Sequence, residues 1–210
     1  GNSDLQPDLI WFKNRDTTND NEVFDSSRGK TRRLRPNSTA ADDDSDTRVR
    51  DFNTDGFDCG TDPSANGDGN EMVAWQWKAN GGSLTTNDAS ATSVGTIDSV
   101  YQANTTAGFS IVTYTGVSAA DTAVAHGLGA VPNLIIVKDR DATKNWTIYH
   151  HSIGNDRSMK LNTTDAQTAS TDHWNNATPT STVFYLGNYS HVNTTDAYIA
   201  YCFTEVQGYS

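Results

Sequence analysis

One pattern occurs twice in this chain, first as Pro7-Asp8-Leu9-Ile10-Trp11-Phe12-Lys13-Asn14-Arg15-Asp16 and again, 125 positions later, as Pro132-Asn133-Leu134-Ile135-Ile136-Val137-Lys138-Asp139-Arg140-Asp141. Each copy is an apolar run that ends in a lysine and a polar turn. Consecutive positions are apolar, so both faces of an extended chain would be apolar. The first copy therefore predicts a β-strand that is buried on both faces, over Leu9–Lys13, and the second predicts a strand over Leu134–Lys138.

The correspondence continues downstream at an offset that drifts only from 125 to 127. It joins three further pairs of segments: Phe24–Gly29 with Tyr149–Gly154, Phe57–Gly60 with Phe184–Gly187, and Met72–Trp77 with Tyr198–Phe203. Among the acids only Asp16 and Asp141 correspond, and we expect both to accept hydrogen bonds in turns. A scaffold that is duplicated without a reactive centre indicates a structural or binding protein rather than an enzyme.

The composition is typical of a β-protein with many loops. Of the 210 residues, 35% are hydrophobic and only 20% are charged, so the polar remainder is largely uncharged. Five Trp, eight Tyr and seven Phe are enough to nucleate cores, which argues against a disordered chain.

Short strand candidates occur along the whole chain, and no segment carries a sustained helical period. The candidates are Leu9–Lys13, Glu22–Asp25, Thr31–Arg35, Arg48–Phe52, Met72–Lys78, Phe109–Gly116, Leu134–Lys138, Trp146–His150, Ser158–Leu161, Val183–Leu186 and Ala197–Thr204. Single helical turns are expected only near 165–169 or 172–176. The predicted fold class is all-β, with two homologous, jelly-roll-like β-sandwich modules in tandem.

The predicted modules occupy residues 1–82 and 104–210, and residues 83–103 are expected to form a linker with a candidate short strand. The second module has a full strand, Phe109–Gly116, ahead of Pro132, and the first has no counterpart ahead of Pro7. The first module is therefore expected to be N-terminally truncated. We expect an upstream segment or a neighbouring subunit to pair with the Leu9 or the Met72 edge of its sheet.

The charge of the chain disfavours several classes of partner, and its cysteines indicate the redox environment. The net charge of −11 disfavours nucleic acid and anionic membranes, because an acidic surface repels phosphates. No apolar run approaches the roughly 18 residues of a membrane span. The two cysteines, Cys59 and Cys202, do not occupy corresponding positions, so we expect two buried free thiols and assembly in a reducing cytoplasm.

The sequence contains no motif of a reactive centre. It has no Gly-x-Ser-x-Gly nucleophile elbow and no Cys and His spacing suited to zinc. His150 and His151 are adjacent on a predicted strand and point to opposite faces, and all five histidines are expected on the surface or in turns. Asp42–Asp46 and Asn66–Glu71 carry oxygen ligands for calcium without the spacing of an EF-hand, so solvated loops are preferred. We predict no catalytic residue, no metal site and no cofactor, and leave any binding residues unassigned.

A basic run stands out against the acidic background. It consists of Lys30, Arg32, Arg33 and Arg35. We hypothesise that this run meets an acidic loop such as Asp42–Asp46 on a neighbouring subunit, which would orient the contact between subunits.

The tryptophans allow two interpretations. Trp11, Trp75 and Trp77 lie in predicted strands, and Trp146 and Trp174 flank loops. Core packing is the preferred interpretation, since large aromatic side chains dominate cores. The alternative is a platform on which sugar rings stack, formed above all by Trp146 or Trp174.

Motifs in both halves carry a family resemblance. They are Phe109–Gly116, His126–Gly129, Pro132–Lys138, Trp174–Ser181 with Phe184, and Tyr198–Ser210 in the second half, and Pro7–Lys78 with Phe57–Gly60 and Val73–Lys78 in the first. Together they resemble a repeat domain found in virion and tail-associated proteins of tailed bacteriophages, especially marine ones. The resemblance implies a structural protein of the phage, often alongside lectin-like sandwich domains, and no site residues. The chain departs from the pattern in its truncated start, in the charged insertion Asn19–Glu22 and in the loop Asp42–Asp46.

The sequence thus predicts a non-enzymatic virion component, namely a tail fibre, tail-associated or capsid-decorating protein that acts by symmetric assembly. The expected partners are further copies of the chain and other virion proteins, without nucleic acid or membrane. The expected location is the virion, assembled in the host cytoplasm. The alternative is a carbohydrate-binding adhesin module that contacts a glycan of the host surface.

Overall fold

The computed structural model describes residues 5–208, which form an almost entirely β-sheet protein with 38% strand and 4% helix. The strands are β1 (Leu9–Asn14), β2 (Glu22–Asp25), β3 (Arg32–Arg33), β4 (Asp43–Asp44), β5 (Val49–Asn53), β6 (Gly56–Cys59), β7 (Met72–Trp77), β8 (Thr85–Asn87), β9 (Ser99–Asn104), β10 (Phe109–Thr115), β11 (Thr122–Ala125), β12 (Leu134–Asp139), β13 (Thr147–His150), β14 (Arg157–Lys160), β15 (Thr168–Ala169), β16 (Val183–Leu186) and β17 (Ala197–Phe203). The helices are α1 (Pro63–Asn66) and α2 (Ala89–Thr92). The all-β class is confirmed. Residues 1–4 and 209–210 of the predicted modules lie outside the described residues.

Two main sheets dominate the described residues. The larger has eight antiparallel strands in the order β15-β14-β13-β12-β17-β10-β9-β8, and the smaller has three in the order β2-β1-β7. Three two-stranded pairs, β11–β16, β5–β6 and β3–β4, accompany them.

The apolar cores lie between successive layers of strands, and a strand that is buried on both faces contributes to two of them. In β1, Leu9 and Trp11 pack in a cluster shared with the larger sheet, whereas Ile10 and Phe12 pack against the β5–β6 pair. This alternation follows from the two-residue period of an extended chain. In β12, Ile136 faces the shared cluster, and its neighbours in the strand face the core under β11–β16. The prediction of a strand over Leu9–Lys13 that is buried on both faces is confirmed.

Corresponding segments of the two copies lie in corresponding surroundings. The order β2-β1-β7 matches the order β13-β12-β17 inside the larger sheet. Gly60 and Gly187 lie at the ends of the corresponding strands β6 and β16. A Cβ atom would approach the Thr47 carbonyl oxygen to 2.0 Å at Gly60 and that of Asp172 to 2.1 Å at Gly187. Both positions therefore require glycine because another stretch of backbone passes directly over them.

The segment between the predicted modules is part of the larger sheet. Residues 83–103 contain β8, α2 and most of β9, and both strands pair within that sheet. Gln102 of β9 is fully buried, and its amide donates to the hydroxyls of Ser26 and Ser27 at 2.7 Å each. This segment thus ties the smaller sheet to the larger one.

The predicted positions of the helical turns were wrong. Strand β15 begins within 165–169, and residues 172–176 form turns without a helix. The helices instead follow Asp62 and Asp88, whose carboxylates accept hydrogen bonds from the backbone of the first turn. The aspartate N-cap, rather than hydrophobic period, decides where these single turns form.

Candidate functional site

The turn after β1 is built in the same way as the turn after β12. The Oδ1 atom of Asn14 accepts a hydrogen bond from the backbone nitrogen of Asp16 at 3.0 Å. The Oδ1 atom of Asp139 accepts from that of Asp141 at 2.9 Å. An amide and a carboxylate thus hold the same Asx turn in the two copies.

The two corresponding aspartates then fasten these turns to the next strand of their sheet. The Oδ2 atom of Asp16 accepts from the backbone nitrogen of Glu71 at 2.5 Å, and that of Asp141 accepts from Ala197 at 2.7 Å. Asp16 and Asp141 accept hydrogen bonds as expected, but from the backbone of the next strand rather than within the turn. Both carboxylates are used for positioning backbone.

The lysines that end the two apolar runs also hold these turns. The Nζ atom of Lys13 donates to two backbone carbonyls of its turn, at 3.1 and 2.7 Å, and that of Lys138 does so at 2.6 and 3.2 Å. Lys138 is fully buried, and burial lowers its pKa to about 8 although the charge of Asp139 opposes this. A lysine with a lowered pKa is a candidate reactive group. Its two carbonyl acceptors, repeated at Lys13, assign it to the turn instead.

A buried ionic cluster joins the two main sheets. The side chains of Asp25 and Arg28 have no exposed surface, and the Arg28 Nε atom lies 2.6 Å from Asp25 Oδ2. Tyr201 of β17 donates its hydroxyl to the same oxygen at 2.7 Å. Burial alone would lower the pKa of Arg28, but the charges of Asp25 and Asp42 outweigh it and raise the pKa. Arg28 is therefore permanently charged inside the protein.

Asp42 is the second acid of this cluster, and arginines surround it. Its oxygens lie 3.0 Å from Arg32 Nε, 2.9 Å from Arg140 Nε and 3.4 Å from Arg28 Nη1. Its backbone nitrogen also donates to the Arg140 carbonyl at 2.8 Å. Because Arg140 lies just after β12, Asp42 links the two halves of the chain. The sequence pattern missed this cluster, and its one local signal is the three-residue spacing of Asp25 and Arg28.

The hypothesis that the basic run meets a neighbouring subunit is corrected by these contacts. Strands β3 and β4 form a hairpin in which Arg33 pairs with Asp43. The Arg33 guanidinium binds both oxygens of Asp43, at 2.8 and 2.6 Å, and Arg35 binds the same carboxylate. Burial alone would raise the pKa of Asp43, but these two arginines lower it. The acidic loop is thus the partner of the basic run within one chain.

His126 and His173 are buried rather than on the surface, although His173 lies in a turn, as expected. The Nδ1 atom of His126 accepts from the backbone nitrogen of Leu128 at 3.2 Å, and its Nε2 atom lies 3.2 Å from the Thr180 carbonyl. A neutral imidazole satisfies both contacts, which permits burial. Burial lowers the pKa of His126 to about 4, and that of His173 to about 4 as well.

Across residues 5–208, no three His, Cys, Asp or Glu side chains are grouped so that they could hold a metal ion. Asp42, from the loop considered for calcium, is engaged by arginines instead.

The tryptophans considered as a sugar platform pack in the core. Trp146 and Trp174 are each 1% exposed, so the preferred interpretation of core packing is confirmed for them and the alternative of a platform formed by them is wrong. Trp146 sits in the cluster between the main sheets and donates its Nε1 hydrogen to the Arg35 carbonyl at 2.9 Å. Trp75 is the exposed one, at 48%, and its ring meets that of Trp11 edge-on at 6.4 Å.

A cavity and a groove adjoin each other beside Trp11. The cavity, of about 200 Å³, lies between the main sheets and is lined by apolar side chains that include Trp77 and Trp146. The groove, of about 350 Å³, is lined by Trp11 together with polar side chains such as Asn37 and Asn162. One aromatic face thus borders amide and hydroxyl groups at the surface.

Both cysteines are free thiols, as predicted, but only Cys202 is fully buried. Burial raises the pKa of Cys202 to about 12. Cys59 is half-buried, and burial together with the charge of Asp58 raises its pKa.

These features define an all-β protein whose buried charges hold turns and join sheets. The chain belongs to the family of the domain of unknown function DUF7483, whose family model matches residues 2–210. No curated protein and no solved structure matches the chain. Within residues 5–208, no helix is long and apolar enough to cross a membrane.

Proposed function

We propose that this chain is a non-enzymatic structural component of a bacteriophage particle, as a tail fibre, tail-associated or capsid-decorating protein. It acts by symmetric assembly with further copies and with other virion proteins, and it resides in the virion after assembly in the host cytoplasm. The resemblance of its motifs to the phage repeat domain supports this class.

The observation that carries the proposal is the use made of the recurring polar side chains. Asp16 and Asp141 fasten a turn to a strand, and Lys13 and Lys138 bind carbonyls of the same turns. Reactive chemistry needs groups that are free to meet a substrate, whereas these groups are engaged by backbone. The polar side chains at the duplicated positions therefore maintain the fold.

We further propose that the chain consists of two homologous β-sandwich modules. Each has a three-strand unit, β2-β1-β7 or β13-β12-β17, with a two-stranded pair over one face. The modules pack against each other through the cluster that contains Leu9, Phe109 and Trp146. Two units with a shared core make a rigid block, as a particle component requires.

The proposal is tested on purified phage particles from a phage that encodes this chain. Gold-labelled antibodies against the folded chain should decorate a fixed position on intact particles in electron micrographs. An antibody against a host cytoplasmic protein serves as the control. Absence of the chain from purified particles, with its presence in the cleared lysate, would remove the virion assignment.

A second candidate, a carbohydrate-binding module, is favoured by the groove beside Trp11. An aromatic face bordered by amides and hydroxyls is the chemistry that holds a sugar ring. Trp11, Asn37, Asn162 and Thr164 line this groove.

Glycan-array binding by the purified chain tests this candidate. The change Thr164→Arg would place a long side chain in the groove and should abolish binding. The matched change Thr86→Arg, on the exposed strand β8, should leave binding intact. Equal binding by both variants would exclude the groove as the glycan site.

A further inference from the structure

We propose that β7 is a dimer interface, at which two copies of this chain pair antiparallel about Ala74 and form one continuous six-stranded sheet, β2-β1-β7-β7-β1-β2. The proposal rests on the assembly function above and names the surface through which that assembly begins.

The first observation is the different surroundings of two corresponding strands. In the larger sheet, β17 pairs with β12 on one side and with β10 on the other. Its counterpart β7 pairs with β1 on one side, and no strand among residues 5–208 pairs with its other side. A sheet edge of this kind presents a row of backbone donors and acceptors that can bind another strand.

The second observation is that β7 lacks the usual protection of an edge strand. It is six residues long, reads Met-Val-Ala-Trp-Gln-Trp, and contains neither a charge nor a proline. The edge strands of the larger sheet are much shorter, with three residues in β8 and two in β15. The outer side of β2 is covered by two backbone hydrogen bonds between Val23 and Leu34, at 2.8 and 3.0 Å. An uncharged edge with Trp75 exposed is therefore the surface best suited to pairing.

The third observation is that β7 is complementary to itself. Glu71 and Trp77 accept backbone hydrogen bonds from the β1 side, so the odd positions point to β1 and the even ones point outward. Pairing about Ala74 places Ala74 opposite its own copy and Met72 opposite Gln76, both at outward positions. A two-fold axis needs this self-complementarity.

The same register places favourable side-chain pairs across the two-fold axis. Val73 lies opposite Trp75 of the second copy, an aromatic pair with a β-branched residue of the kind that stabilises sheets. Glu71 lies opposite Trp77 of the second copy, so no two like charges face each other across the contact. The net charge of −11 is thus not concentrated at this contact.

The test measures the mass of the chain in solution by sedimentation velocity across the micromolar range. The chain should sediment as a dimer. Gln76→Pro removes one outward backbone donor at an exposed position, and Trp75→Lys adds a charge to the edge, so each should weaken the dimer at least about tenfold. Thr86→Lys on β8 is the matched control and should leave the dimer unchanged, and circular dichroism verifies that each variant is folded.

The register is tested separately by oxidative crosslinking. The double variant Val73→Cys and Trp75→Cys should give a crosslinked dimer, because these positions face each other across the axis, and either single variant should not. A monomer at every concentration, or a dimer that survives both edge variants, would overturn the interface. If the chain is a monomer in solution but is found on particles, the β7 interface is wrong and the virion assignment stands. If it is a dimer in solution but is absent from particles, the virion assignment is wrong and the interface stands.

Discussion

The hydroxyl of Tyr201 donates to the carboxylate of Asp25 at 2.7 Å, across 176 positions of sequence. The tyrosine lies on the central strand β17 of the larger sheet, and the aspartate ends β2 of the smaller one. The contact is fully buried, so its strength is not reduced by solvent. This hydrogen bond fixes the position of the smaller sheet against the larger one.

The change Tyr201→Phe should lower the free energy of unfolding by about 1–3 kcal/mol, because it removes a hydrogen bond to a buried charge. Urea denaturation followed by tryptophan fluorescence measures this. Tyr185→Phe, at a half-buried position of β16, should change the value by less than about 0.5 kcal/mol. Equal effects of the two changes would contradict a special role for the Tyr201 hydroxyl.

The change Asp42→Asn should be more severe, with a loss of about 3–5 kcal/mol, because it leaves the buried charge of Arg28 without one of its counterions. Asp44→Asn, at an exposed position of the neighbouring strand, is the matched control and should be nearly neutral. Thermal unfolding of both variants provides the comparison. A stable Asp42→Asn variant would show that the arginines around this carboxylate do not depend on it.

The buried His126 should make stability depend on pH in the acid range. Its pKa in the folded protein, about 4, lies below the ordinary value of 6.5, so the unfolded chain binds the proton more readily. The contribution is therefore fully present above pH 6.5 and is lost as the pH falls from 6.5 through 4.

The measurement compares unfolding of the native chain and of the His126→Gln variant at pH 7 and at pH 4. The loss between these two pH values should be smaller in the variant by about 2–3 kcal/mol. The exposed His151 provides the control, since His151→Gln should leave the loss unchanged. Parallel curves for the native chain and His126→Gln would refute the assignment. His173 adds a similar loss in both proteins and cancels in the difference.

The two corresponding glycines should respond alike to substitution. Gly60→Ala and Gly187→Ala each force a methyl group against a backbone carbonyl, and each should cost about 3 kcal/mol or more. At Gly129 no heavy atom lies within 4 Å of an added Cβ, so Gly129→Ala should cost only about 1 kcal/mol, from its positive φ. Guanidinium denaturation of the three variants measures these losses in the free energy of unfolding. A mild effect at one of the two corresponding glycines would show that the backbone crossing is not shared.

Much of the local structure could be predicted because it depends on neighbouring residues. Glu22–Asp25 and Val183–Leu186 are strands with the predicted bounds, and Leu9–Lys13 was extended by one residue only. Their apolar and β-branched residues suit a buried strand, so the local pattern was enough to locate them. Strand β11, over Thr122–Ala125, was not predicted, and it exists as a partner of β16. Its stability comes from that pairing rather than from its own pattern.

The candidate site could not be predicted to the same extent. Core packing of Trp146 was the preferred interpretation, but the sequence did not show that the smaller sheet is what covers it. Arg33 and Arg35 were expected to meet an acidic loop on another subunit, and the hairpin of β3 and β4 supplies that partner within the chain. Whether a charged side chain meets its partner within one chain or in a second chain depends on the path of the chain. The types of the residues alone do not determine that path.

The order of residues by itself determined that this protein is built from short, doubly buried strands that recur about 125 positions apart, because strand periodicity and turn residues act over a few neighbours. Only the tertiary structure decided which layer covers which, that Asp25 meets Tyr201, and that β7 has a side without a partner among the described strands. Those features arise from contacts between distant segments, whose pairing is selected by the packing of the whole fold rather than by any local pattern.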